Sequence, residues 1–173
     1  MTGRYEYIPP DGKHHCVPTC LQMILQSRGI PYDSQNKMLR DLGSKGDGVR
    51  LPEGQLERYF ISKGIPLHCI DLRADHSFCK DFEDFAEAVL KKGGDVMVSY
   101  AIEDIFRNKK EDKHVSLIVA RKGMTKLTLL DANVRRPITV SICKLIDAMF
   151  KVGGGYHCMH PDLEVLKALK GSW

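Results

Sequence analysis

Apolar residues recur at helical spacing in the first half of the chain. The clearest run contains Val17, Cys20, Leu21, Ile24 and Leu25. Intervals of three and four residues place these side chains on one face of a helix, and Gly29 and Pro31 predict its end. Two further helices are predicted, from Ser34 to Leu42 with Ser34 as N-cap, and from about Pro52 to Lys63. The N-terminal half is therefore predicted to be helical.

The second half contains both helix-like and strand-like spacing of apolar residues. Lys122 and Gly123 predict a two-residue hairpin turn. Strands are predicted at Leu67–Ile70, Val96–Tyr100, His114–Ala120, Lys126–Asp131 and Tyr156–Met159, and helices at Asp81–Lys92, Ser141–Lys151 and Asp162–Lys170. Helices followed by an antiparallel sheet favour an α+β fold.

The size and composition of the chain suit one ordinary globular domain. Its 173 residues are 43% hydrophobic and 28% charged, which is enough apolar surface for a core and argues against disorder. We expect a single domain over residues 1–173. No internal repeat or low-complexity linker divides it.

The charge of the chain does not favour a nucleic-acid partner. The formal net charge is +4, and lysines and arginines are interleaved with acids along the sequence. The densest run, Asn108–Lys113, carries both signs and is interpreted as a solvated loop.

The sequence contains neither a recognisable signal peptide nor a membrane span. Residues 1–13 lack an apolar stretch, and no run of 18 apolar residues occurs. The default expectation is a cytoplasmic protein without a membrane span, with export by a signal-independent route left open.

The cysteine content favours free thiols over a disulfide framework. The six cysteines are Cys16, Cys20, Cys69, Cys79, Cys143 and Cys158. Nothing marks secretion, and most of these residues stand among apolar neighbours, so we expect buried thiols that behave as small hydrophobic side chains.

Cys16 differs from the others because it stands at the predicted start of a helix. Pro18 fits a first helical turn, where a missing N–H costs nothing. The free N–H groups and the positive end of the helix dipole favour an anion at this position. A thiolate is such an anion, and the same N–H groups suit the oxyanion formed when a carbonyl is attacked. Cys20, one turn further on, is interpreted as core.

A nucleophilic cysteine needs a base and a group that orients the base. His114 opens the apolar run Val115–Ala120, where a polar side chain at the mouth of a strand can face a cleft. With a two-residue turn at Lys122 and Gly123, the residue opposite His114 is Asp131. A slip in register would bring Asn133 into that position as the alternative orienter.

The stretch from Cys16 to Leu25, CVPTCLQMIL, resembles the start of the first helix in bacteriocin-processing, double-glycine leader peptidases of bacteria. These enzymes belong to the papain-like cysteine peptidase superfamily and carry a Cys-Gly-Pro-Ala-Cys-Leu-like motif there. The segment from His114 to Asp131, followed by Arg136-Pro137 and a helix to Met149, also resembles phytochelatin synthase, a transpeptidase of the same superfamily.

The resemblance covers roughly residues 10–155 and implies a papain-like architecture, in which an N-terminal helical lobe packs against an antiparallel sheet. It implies a cysteine peptidase or amide hydrolase that forms an acyl-thioester on Cys16, with His114 as base and Asp131 as orienter. A peptide or protein substrate and no cofactor are expected, and the oligomeric state stays open.

The sequence departs from the family pattern in two respects. Val17 replaces the glycine that follows the nucleophile, which would be unfavourable if the backbone there required a positive φ. No glutamine lies in residues 1–15 to complete the oxyanion hole. His15, and then His14, are the candidate replacement donors.

Several alternatives to a peptidase remain open from the sequence. The same acyl-enzyme supports acyl transfer or transpeptidation when an amine replaces water. A catalytically inactive peptide-binding module with this fold is a second alternative. A zinc site is a third and less favoured one, and no metal is predicted. Its candidate ligands are His14, His15, Cys16, Cys20, His157, Cys158 and His160. Residues Gly43–Leu51 and Glu103–Lys113 are candidate rims of a substrate cleft.

Overall fold

The computed structural model describes residues 4–44, 49, 51–73, 82–106 and 113–171. The N-terminal half forms α1 (Cys16–Ser27), α2 (Gln35–Asp41) and α3 (Gln55–Lys63). As predicted, the Ser34 hydroxyl caps α2 by accepting a hydrogen bond from the Lys37 backbone N–H at 3.4 Å. The third helix begins three residues later than expected, because Pro52 and Glu53 lie in the turn that precedes it.

The remaining elements agree in type with the predicted ones and include two that were not predicted. They are β1 (His68–Arg73), α4 (Phe82–Lys91), β2 (Asp95–Tyr100), α5 (Ile102–Ile105), β3 (His114–Lys122), β4 (Lys126–Asp131), β5 (Val134–Ser141), α6 (Ile142–Lys151), β6 (Gly155–His160) and α7 (Leu163–Gly171). The single-turn helix α5 and the strand β5 are the additions.

The described strands form a six-stranded sheet in the order β1-β6-β2-β3-β4-β5. Every neighbouring pair runs antiparallel. The sheet carries helices on both faces. The first core cluster joins α1, α2 and α3 to sheet residues such as Met97 and Leu117, and the second joins α4, α6 and α7 to residues such as Val98. The expected α+β fold, with an N-terminal helical layer against an antiparallel sheet, is confirmed.

The register of the β3–β4 hairpin differs from the predicted one. Lys122 pairs with Lys126, so the connection has three residues, Gly123 to Thr125, and a further shift occurs between Ile118 and Ala120. Asp131 is therefore paired with Ser116, and the prediction that it lies directly opposite His114 is wrong. The shift amounts to two positions, so Asp131 stays on the face of the sheet that carries His114.

Candidate active site

Cys16 is the first residue of α1, as the position of Pro18 predicted. The first backbone hydrogen bond at this end of the helix runs from the Thr19 N–H to the His15 carbonyl at 3.0 Å. The N–H groups of Cys16 and Val17 precede that bond, and Pro18 has none. The thiol, which is partly exposed, therefore sits at the donor-rich, positive end of the helix.

His114 is the first residue of β3, and its side chain is only 1% exposed. Its Nε2 lies 2.6 Å from Asp131 Oδ2. The Cys16 side chain is close enough to the same ring to raise its pKa. Because Nε2 is directed at the carboxylate, Nδ1 is the nitrogen left for the thiol. The Tyr100 ring meets the imidazole edge-on, with centroids 5.7 Å apart.

Asp131, at the end of β4, is fully buried and held on both oxygens. The hydroxyls of Ser116 and Tyr100 donate to Oδ2 at 2.5 and 3.1 Å, and the backbone N–H of Asn133 donates to Oδ1 at 2.7 Å. A buried carboxylate with several donors keeps its charge and its orientation. Asp131 can therefore hold the His114 ring in one position.

These contacts set the protonation states of both groups. Burial lowers the pKa of His114, but its hydrogen bond with Asp131 and its interaction with Cys16 outweigh burial and raise that pKa to about 10. Burial raises the pKa of Asp131, but the hydrogen bonds from His114 and Ser116 hold it below the usual value. At neutral pH the pair is therefore an imidazolium and a carboxylate.

Asn133, the alternative orienter, also lies beside the imidazole. Its side-chain Nδ2 is 3.4 Å from His114 Nε2, longer than the 2.6 Å of the Asp131 contact. Its backbone N–H binds Asp131. Asp131 rather than Asn133 makes the short contact with the ring, and Asn133 supports the carboxylate through its backbone N–H.

The two candidate oxyanion donors lie in different surroundings. His15 Nε2 is 3.2 Å from Asn36 Oδ1 on α2, while its Nδ1 is buried without a hydrogen-bond partner among the described residues. His14 is exposed and has a φ of 65°, which non-glycine residues rarely adopt. A role for either ring in an oxyanion hole stays a prediction.

Val17 lies within α1 and is 1% exposed. In the described residues, the positive φ of a non-glycine residue occurs at His14 and not at Val17. The backbone here does not require a positive φ, so valine is compatible with this position.

The other described cysteines have no place in this arrangement. Cys20, Cys69 and Cys158 are buried and Cys143 is exposed, all as free thiols. Burial raises the pKa of the Cys20 thiol well above its usual value, and its Sγ lies 3.7 Å from the Val115 carbonyl. Cys20 is a core residue. Cys79 lies outside the described residues.

The described residues contain no metal site that could be an alternative to the Cys16 site. Among them, no group of three or more His, Cys, Asp and Glu side chains is arranged to hold a metal ion.

None of the described helices is long and apolar enough to cross a membrane. Most of the two candidate rims, Gly43–Leu51 and Glu103–Lys113, lies outside the described residues, although Leu51 and Lys113 line one pocket.

The sequence matches no family model and no curated protein, but solved structures match the fold. A double glycine motif protease from an AMS/PCAT transporter, solved with its leader peptide, gives a TM-score of 0.57 at 12% identity, covering 91% of this chain and 93% of that one. A Bacillus anthracis protein described as a C39-like peptidase gives 0.64 at 19% identity, covering 92% and 96%. This chain has the fold of these peptidases.

Sequence reasoning missed Tyr100 and Ser116, the two hydroxyls that bind Asp131. A signal for Ser116 was present, since it lies two residues after His114 in the same strand and so shares its face. Tyr100 pairs with His114 across β2 and β3. Finding it required the pairing of two strands that are separated by residues 101–113, which no local pattern reveals.

Proposed function

We propose that this protein is a papain-like cysteine peptidase that cleaves peptide bonds with Cys16 as nucleophile, His114 as general acid and base, and Asp131 as the orienting carboxylate. The observation that supports it most is the position of His114, whose Nε2 lies 2.6 Å from Asp131 Oδ2 and whose pKa is raised by both Asp131 and Cys16. This order of nucleophile, base and orienter is the geometric signature of activated nucleophiles.

The reaction begins with the Cys16 thiolate beside the protonated His114. The sulfur bonds to the carbonyl carbon of the scissile peptide, and the negative charge moves to the carbonyl oxygen. We assign part of the stabilisation of this oxyanion to the backbone N–H groups at the start of α1, because they belong to the same end of the helix as the Cys16 sulfur.

His114 then completes both halves of the reaction. It gives its proton to the leaving amine as the C–N bond breaks, which leaves an acyl-thioester on Cys16. The neutral ring next takes a proton from water, whose oxygen attacks the thioester and releases the acid. Throughout, Asp131 keeps the ring directed at the sulfur and stabilises the imidazolium.

The substrate we propose is a peptide with a double-glycine motif. The support is the fold shared with a double glycine motif protease that was solved in complex with a leader peptide.

The test is incubation of the protein with peptides that carry a double-glycine motif, with products identified by mass spectrometry. We expect cleavage by the wild-type chain and by Cys143→Ala, whose thiol is exposed and outside the site, and none by a folded Cys16→Ala. Equal cleavage by wild type and Cys16→Ala would refute the assignment of the nucleophile.

The same experiment separates peptidase activity from the two other readings of this fold. Hydrolysis adds water across the two fragments, whereas transfer to an added amine yields a new amide and identifies a transpeptidase. Saturable binding of the peptide without any cleavage by the wild-type chain identifies an inactive binding module.

A further inference from the structure

Besides Cys16, His114 and Asp131, three other side chains, a serine, a histidine and a carboxylate, form a row of hydrogen bonds across the sheet. Ser99 Oγ in β2 lies 2.8 Å from His157 Nε2 in β6, and His157 Nδ1 lies 2.6 Å from Asp71 Oδ1 in β1. The order of atoms is that of an activated serine, in which Nε2 faces the hydroxyl and Nδ1 faces the acid.

The strand pairing explains how the three side chains meet. His157 is paired with Asp71 on one side and with Met97 on the other, two residues before Ser99. The residue paired with Ser99 is Gly155. Because glycine has no side chain, the His157 ring extends along the strand to the Ser99 hydroxyl.

Asp71 is held as a charged acceptor. The Gly54 backbone N–H donates to its second oxygen, Oδ2, at 2.7 Å. Burial raises the pKa of Asp71, but the hydrogen bonds from His157 and from Gly54 hold it below the usual value. A carboxylate on Nδ1 keeps the neutral ring in the tautomer whose Nε2 accepts the proton of Ser99.

These three hydrogen-bonded side chains border a pocket. Ser99, His157 and Asp71 all line a cavity of about 50 Å³, so the serine, although only 1% exposed, has space beside it. At roughly 10–15 Å³ for each water-sized group, a cavity of this volume holds only a few such groups, so the ligand beside the serine must be small.

The charged side chains that line this pocket are balanced. Arg73 and Lys113 are positive, and Glu53 and Asp71 are negative. A balanced lining suits an uncharged ligand better than an ionic one.

This arrangement shares no residue with the Cys16 site. Ser99 pairs with Val115, whereas His114 pairs with Tyr100. Neighbouring residues of a strand project to opposite faces, so the Ser99 and His114 side chains leave the sheet on different sides.

We propose that Ser99, His157 and Asp71 form a second nucleophilic site, at which the Ser99 hydroxyl is acylated by a small, uncharged carboxylic ester. Ser99 Oγ bonds to the carbonyl carbon while its proton passes to His157 Nε2. The bond to the alcohol breaks, and the alcohol leaves with that proton. Water then attacks the acyl-serine, its proton returns by way of His157 to Ser99, and the carboxylic acid is released.

The test uses methanesulfonyl fluoride, a small reagent that sulfonylates activated serines with loss of fluoride. The wild-type chain is treated, digested and mapped by mass spectrometry, and the rate at Ser99 is compared with that at Ser62. Ser62 is the matched control, because it is exposed and its hydroxyl binds only the Tyr59 carbonyl at 2.8 Å among the described residues.

We expect Ser99 to react at least about 100-fold faster than Ser62, which is the low end of the effect of a positioned general base. His157→Gln should remove that advantage, since glutamine accepts no proton. The same treatment should make hydrolysis of 4-nitrophenyl acetate by Cys16→Ala protein disappear.

Labelling of Ser99 no faster than that of Ser62 would overturn the proposal, as would an unchanged rate in folded His157→Gln. The decisive ratio is measured within the wild-type chain, so misfolding of a variant does not affect it. It also does not depend on whether Cys16 cleaves peptides.

Discussion

Asp131 Oδ2 lies 2.6 Å from His114 Nε2, although Asp131 is paired in the sheet with Ser116 and not with His114. The carboxylate therefore reaches the imidazole diagonally, across one step of the ladder. Diagonal neighbours on one face are close enough for such a contact. The hydroxyls of Ser116 and Tyr100 fix the carboxylate in the direction that this contact needs.

The first prediction concerns the charge of Asp131. Asp131→Asn keeps the shape of the side chain but removes the negative charge that orients His114 and stabilises its protonated ring, so we expect kcat for peptide cleavage to fall by about 10³-fold or more. The matched control is Asp84→Asn, since Asp84 is exposed and pairs with Arg121 at 2.6 Å away from the site. Full activity in Asp131→Asn would contradict the role of the carboxylate.

The second prediction concerns the pH dependence of cleavage. His114 must carry a proton to release the leaving amine, and its pKa is about 10. We expect kcat/KM to hold through mildly alkaline pH and to fall as the pH rises through about 10. In Asp131→Asn the fall should begin at lower pH, because one of the hydrogen bonds that raises the pKa is weakened. A profile unchanged by the substitution would argue against the coupling.

The third prediction concerns stability. The pKa of His114 in the folded chain, about 10, exceeds the value of about 6.5 expected in the unfolded chain. Its contribution to the free energy of unfolding is therefore complete below about pH 6.5 and is lost as the pH rises through about 10. Urea denaturation of wild type and His114→Gln over this range measures it, and the difference between them should shrink as the pH rises.

The N-terminal helices could be predicted from the sequence because their signals are local. Ser34 caps α2 and Gly64 ends α3, and each acts within one helical turn. Cys16 at the helix start followed from Pro18 in the same way. Such signals need no knowledge of what the helix packs against.

The sheet could be predicted only in part because its register depends on distant strands. The predicted pairing of His114 with Asp131 was wrong because the turn has three residues and β3 is irregular between Ile118 and Ala120. Strand β5 was missed because it lies at the sheet edge, where Arg135, Arg136 and Pro137 are exposed. An edge strand can carry proline and needs no apolar alternation.

The fourth prediction compares two cysteines. Cys20 is 0% exposed in the core between α1 and β3, whereas Cys143 is exposed on α6. Cys20→Ala should lower the free energy of unfolding by about 1–2 kcal/mol, and Cys143→Ala should change it by less than about 0.5 kcal/mol. Chemical denaturation measures both, and equal effects would contradict the assignment of Cys20 to the core.

The fifth prediction concerns close approach of backbones beside β2. A Cβ added at Gly154, just before β6, would overlap the Ser99 carbonyl oxygen, so these two stretches of backbone would have to move apart. Gly154→Ala should therefore destabilise the fold by about 3 kcal/mol or more. Gly171→Ala is the control, since an added Cβ there meets nothing within 4 Å. A Gly154→Ala protein as stable as Gly171→Ala would contradict the packing.

The central claim, that Cys16 is a nucleophile activated by His114, is tested most directly by the rate of alkylation with iodoacetamide at neutral pH. Cys143 in the same molecule is the internal reference because its thiol is exposed, whereas Cys16 is only partly so. The proposed mechanism predicts that Cys16 reacts faster than Cys143, and that His114→Gln slows Cys16 without changing Cys143. Slower reaction at Cys16 than at Cys143, with no effect of His114→Gln, would contradict it.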